Sequence, residues 1–133
     1  MKKIVMRTES TGSLDTFDGK VTAVELQEGL EGRKQYHIRI EPTTVVIKGP
    51  SGAFHEWIPM SAKATDDQVP QGSVLDRYLQ QVEIVIPQAK KESSVDKALK
   101  LLVGKSFRFQ KIKLGKDYDG NKARDYIVPV KDL

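Results

Sequence analysis

The spacing of hydrophobic positions changes twice along the chain, from a strand period to a helix period and back. Lys20–Leu26 is dense in strand-favouring types. Gln27–Lys34, with Gly29 and Gly32, reads as a turn. Gln35–Glu41 then alternates cleanly, with Tyr36, Ile38 and Ile40 on one side and His37, Arg39 and Glu41 on the other, the pattern of a half-buried strand ended by Pro42. Thr43–Ile47 is β-branched and reads as a short strand or a continuation of the last. Gly49-Pro50-Ser51-Gly52 is a turn by composition. Phe54–Met60 follows as a strand whose inward face stays open, because Phe54, Ile58 and Met60 share a parity with Glu56 while Trp57 lies with His55 and Pro59.

In the middle, Leu75, Tyr78, Leu79 and Val82 have the i, i+3, i+4, i+7 spacing of an amphipathic helix, with Ser73 as N-cap and Pro87 as its stop. A second helix from about Ser94 buries Val95, Ala98, Leu99 and Leu102 and is capped by Gly104. Strand character returns in Ser106–Leu114, where Phe107 and Phe109 read as core. Ile112 and Leu114 fall on the opposite parity, so a bulge near Gln110-Lys111 is expected. The last strand is Arg124–Val130, with Pro129 marking an edge or a strand end. Strands bracketing one helical insertion make a parallel α/β fold unlikely and a mainly β fold the expectation.

Length changes this picture little: 133 residues suit one domain, read as 17–133 behind a flexible N-terminal arm, 1–16. The absence of cysteine excludes disulfides, thiol nucleophiles and cysteine-held metals, and two histidines are too few for a histidine-rich metal site. No apolar run approaches the roughly 20 residues of a membrane span, and Met1–Arg7 is too short in apolar residues for a signal-peptide core. A cytoplasmic protein without membrane attachment is expected.

Charge changes the picture more. Residues 1–72 carry 9 Lys/Arg against 10 Asp/Glu, and residues 73–133 carry 13 against 8. Within Lys97–Arg124 the balance is 9 against 2, a net of +7, which points to a polyanionic partner, nucleic acid before membrane.

The strand order, with Gly19–Leu26, Tyr36–Pro42, His55-Glu56-Trp57 and the helix end Leu101–Gly104 feeding Lys105–Phe109, resembles the OB-fold, a five-stranded Greek-key barrel with a helix between strands 3 and 4. These segments are similar to small single-stranded-DNA-binding proteins of phage and prokaryotic type. Two departures are the helical insertion in two segments and the acidic Glu25, Glu28 and Glu31 near the first turn. The resemblance implies binding on the face of strands 2 and 3, framed by the loops Gln27–Lys34, with Arg33 and Lys34, and Gly115–Ala123, with Lys116, Tyr118 and Lys122.

Single-stranded nucleic acid requires cations along its backbone and flat side chains for its bases. Lys111, Lys113, Lys116, Tyr118, Lys122 and Arg124 supply both around one Gly-flanked loop. Arg39 and His37 meet phosphate or a base, or form the wet face of a sheet; Trp57 is a stacking platform or a core side chain. Gly104-Lys105-Ser106 ends like a phosphate-binding loop, but Leu99 stands where that motif needs glycine. Asp66-Asp67 reads as a solvated turn, and His55-Glu56 lacks the second histidine of a zinc-protease helix. The expectation is therefore a non-enzyme, without cofactor, metal or catalytic residues, that binds single-stranded nucleic acid, DNA first, with little sequence preference. The alternative is an OB-like protein-interaction subunit of a replication or repair assembly, with a protein partner or a second copy of the chain.

Overall fold

A computed structural model of the chain describes residues 16–29, 32–43, 52–115 and 124–133. Five antiparallel strands form one sheet: β1 (Thr16–Glu28), β2 (Lys34–Pro42), β3 (Phe54–Met60), β4 (Ser106–Lys113) and β5 (Asp125–Asp132), in the order β3-β2-β1-β4-β5. Two helices, α1 (Val74–Val85) and α2 (Val95–Lys100), lie between β3 and β4, joined by a 3₁₀ turn, Pro87–Lys91. The mainly β reading with a two-part helical insertion holds. The expected Thr43–Ile47 strand and Gly49–Gly52 turn lie outside the described residues except for Thr43 and Gly52, as do residues 1–15 of the arm. Thr16, assigned to the arm, already pairs with Gln110.

β1 is longer than expected because it serves two neighbours. Its first residues, Thr16–Lys20, pair with β4, and Gly19–Glu28 pair with β2. The register with β2 shifts between Val21 and Ala23, leaving Thr22 as the extra residue of a bulge. The bulge changes the inward parity, from Phe17, Gly19 and Val21 before it to Val24 after it. At Gly19 the strands cross so closely that a Cβ would stand 2.9 Å from Ile40 Cγ2 and 3.0 Å from the Glu41 carbonyl oxygen.

β2 has no such interruption, and Tyr36, Ile38 and Ile40 are buried as its alternation predicts. In β3 the buried pair is Glu56 and Ile58, with Trp57 and Pro59 exposed, so the parity containing the carboxylate faces inward. On the other side of β1, Phe107 and Phe109 are fully buried in β4. The expected bulge at Gln110-Lys111 is not where the ladder slips. The shift lies between Arg108 and Phe109, and the extra residue is Val130 on β5. It follows Pro129, which has no N–H to give a ladder, so the irregularity falls on the proline-bearing strand.

Both helix starts are capped as the sequence predicts. Ser73 accepts from the Asp76 N–H and Ser94 from the Lys97 N–H. Asp66 braces the second start, its side chain accepting from Asp96 N–H and its carbonyl from Val95 N–H, which gives the Asp66-Asp67 turn a structural role. Hydrogen bonding to Ser94 and to the Asp96 N–H holds the Asp66 carboxyl below its ordinary range. Leu75, Tyr78, Val82 and Val85 form the buried stripe of α1, which packs against both edge strands, β3 and β5. Gly104 ends the turn after α2 at φ +84°, and its N–H continues the ladder to the Val21 carbonyl. No helix among the described residues is long and apolar enough to cross a membrane.

Candidate functional site

The outward residues of β1, β2 and β3 line up in rows across the sheet. Glu25, His37 and Trp57 form one row, and Ala23, Arg39 and His55 the next. Trp57 stays 41% exposed because its parity faces away from the core. His37, directly opposite, stacks on it with ring centroids 5.0 Å apart at 21°. His55, one row along, stacks on His37 at 5.0 Å and 3°, and the two imidazoles are joined by a 2.7 Å contact between His37 Nε2 and His55 Nδ1. The result is a three-ring platform on the outer face. Burial, reinforced by the neighbouring His55 and Arg39, holds the His37 pKa below its ordinary value of 6.5, while Glu25 opposes the shift.

Beside this platform the two edge strands are joined by one carboxylate. Glu56, 3% exposed, accepts from Arg124 Nη2 at 2.7 Å, from the Ile127 N–H of β5 at 2.8 Å and from the Trp57 N–H at 3.0 Å. Arg124 also donates to the Trp57 carbonyl at 2.8 Å and lies 3.7 Å from the centre of the Tyr126 ring. Burial works against the Arg124 charge, but the Glu56 hydrogen bond and charge outweigh it and hold the guanidinium above its ordinary pKa. A cleft of about 370 Å³ opens here, lined by His55, Trp57, Lys111 and Arg124 among others. A second depression, of about 590 Å³, lies at the far end of β3 and is lined by Arg33, Lys34, Pro59 and Met60.

The chain matches no known family model and no curated protein. Its site is therefore read from its own geometry. Cations flank an exposed aromatic platform at both ends of β3, an arrangement suited to a flat group on the rings and negative charge on either side. The face is not uniformly positive. Glu25 stands opposite His37, and Arg39 gives Nη1 to Glu41 at 2.8 Å and to the Thr22 hydroxyl at 2.8 Å. Among the described residues no group of three or more His, Asp or Glu side chains is arranged to hold a metal ion.

Of the residues singled out from sequence, His37, Arg39 and Trp57 share the outer face, and Lys111 and Arg124 line the cleft beside it. Arg33 and Lys34 lie at the opposite end of β3. Lys113 is exposed at the end of β4 and lines neither depression. Lys116, Tyr118 and Lys122 lie outside the described residues. Two residues were missed. His55 completes the platform, and its shared parity with Trp57 was the available signal. Glu56 left no local signal, since its partners are 68 and 71 residues away.

Proposed function

We propose that this chain binds single-stranded nucleic acid, DNA first, without catalysis, on the outer face of β2 and β3. The observation that carries the reading is the exposed Trp57 ring stacked on the half-buried His37 and His55, with Lys111 and Arg124 on one side and Arg33 and Lys34 on the other. Bases stack on the rings and phosphates meet the cations, which favours no particular sequence because every base has a π-face. The five steps from His55 to Met60 cover about 17 Å of strand, a length that a short stretch of extended chain can follow.

The fold that belongs with this reading is an OB-like Greek-key barrel. Its support is the return of β4 beside β1 after the β1-β2-β3 meander, the Greek-key order. Further support comes from the Glu56 link between the two edge strands and from α1 packed on both.

The test is a titration with labelled oligo(dT) and a duplex of equal length at two salt concentrations, following Trp57 fluorescence. The expected result is tighter single-strand binding that quenches Trp57 and weakens steeply with salt. Trp57→Ala should cost about 1–3 kcal/mol of binding with the melting temperature nearly unchanged, because the ring is already half in water. Absence of binding at low salt, or indifference to strandedness, overturns the reading and turns this face toward a protein partner.

A further inference from the structure

We propose that the His37–His55 pair makes this face a proton-coupled anion site, taking up one proton as a polyanion binds and binding more tightly as pH falls. The proposal rests on the nucleic-acid reading above and names its regulation. Its ground is the 2.7 Å contact between His37 Nε2 and His55 Nδ1 in two nearly parallel rings. An imidazole–imidazole hydrogen bond needs one bare nitrogen as acceptor. The neutral pair satisfies this and so does the singly charged pair, in which the bond becomes charge-assisted and stronger. A second proton removes the acceptor and breaks the bond. The intact pair therefore has room for one added positive charge.

That charge falls where it matters for a ligand. The pair stacks on Trp57, whose indole face attracts a cation, so the proton adds a positive centre beside the base-stacking ring. Every charged neighbour bears on this equilibrium. From β1, Glu25 faces His37 and favours the proton. From β2, Arg39 opposes it and is itself paired to Glu41. Lys111, Arg124 and Asp125 line the same cleft as His55. In the free protein burial adds to this opposition at His37, whose Nδ1 is enclosed with no hydrogen-bond partner. In the free protein His37 thus stays neutral to below its ordinary value. A polyanion laid on the face supplies the missing counter-charge, raises the pair's pKa and draws the proton in. By linkage, affinity then rises as pH falls through the window between the free and bound pKa values, by at most about tenfold per pH unit for one proton.

The experiment uses the full chain and a labelled oligo(dT), whose bases do not titrate in the range. Affinity is measured at constant salt between about pH 5.5 and 8, with circular dichroism checking the fold at each point. The two histidines of the chain are followed by NMR in the free protein. The expected result is an affinity gain of about tenfold over that range, with two coupled histidine steps, the second well below the first. His55→Gln and His37→Gln should each lose the two-step coupling and show a shallower pH dependence of binding than the wild type. Two independent histidine titrations near the ordinary value, or a pH-independent affinity in the wild type, overturn the proposal while leaving nucleic-acid binding intact. Absence of binding at every pH overturns both readings together.

Discussion

Glu56→Ala measures how much of the fold depends on one carboxylate. The side chain is enclosed, and each of its three hydrogen bonds is 3.0 Å or shorter. Its removal leaves the N–H groups of Trp57 and Ile127 without acceptors, at about 1–3 kcal/mol each. The lower part of that range applies, because the cleft beside them admits water. Arg124 is half exposed and rehydrates, so its loss adds less than about 1 kcal/mol. The expected destabilisation is about 3 kcal/mol, and at about 3–4 °C per kcal/mol in a domain of this size the melting temperature falls by about 10 °C. Urea unfolding followed by circular dichroism, with calorimetry, reads both quantities. Arg124→Ala alone should cost less, and the double variant should be non-additive by about 0.5–1 kcal/mol. A loss at Glu56→Ala below about 0.5 kcal/mol, the level of an ordinary surface change, would show that the edge strands hold together without it. Strict additivity would show that the pair is not an energetic unit.

Two further outcomes test the sheet itself. The hydrogen bond from Arg108 holds the Asp18 carboxyl below its ordinary 3.8; its stabilisation is present above that value and lost as pH falls through the lower folded one. The urea midpoint should therefore drop in acid for the wild type and drop less for Asp18→Asn, and equal acid sensitivity would remove the pair from the account. Gly19→Ala drives a methyl against Ile40 and the Glu41 carbonyl and should cost about 1–3 kcal/mol in the same unfolding assay, whereas a neutral result would mean that β1 and β2 separate without penalty.

What was legible in the sequence depended on whether a strand kept its register. β2 holds no extra residue of its own, since the bulge in its ladder with β1 falls on β1, so its alternation could be read directly. β1 and β5 each hold an extra residue, Thr22 and Val130, and the parity on either side of it no longer agrees. A bulge was inferred from the parity conflict in Ser106–Leu114, yet it sits on the facing strand, because a ladder slip belongs to a pair of strands and one strand's pattern cannot say which partner carries it. The helices were legible because their caps and stripes are local: Ser73 and Ser94 each accept from an N–H three residues on, and Gly104 supplies the positive φ that ends its turn. β3 could not be oriented because the test asks which parity is apolar, and Glu56 is a charged residue that faces inward. Its reason for doing so lies on β5.

That same distant contact ties the platform to the frame. Trp57 points its ring outward while its N–H is held by Glu56 and its carbonyl by Arg124. The backbone from which the ring projects is thus held by Glu56 and Arg124. His37 is set opposite the ring by the β2–β3 register, and Lys34 opposite Met60 by the same ladder. A shift of one residue in that ladder turns Trp57 into the core and Glu56 out to water, so the apolar pattern of β2, the buried carboxylate of β3 and the exposed rings are one constraint. The basic side chains differ: Arg124 is tied to Glu56, the Trp57 carbonyl and the Tyr126 ring, whereas Lys34 and Lys113 stand exposed at strand ends. Under the proposed function, the platform would fix where a base stacks, while the exposed lysines at the strand ends would adjust to the phosphates.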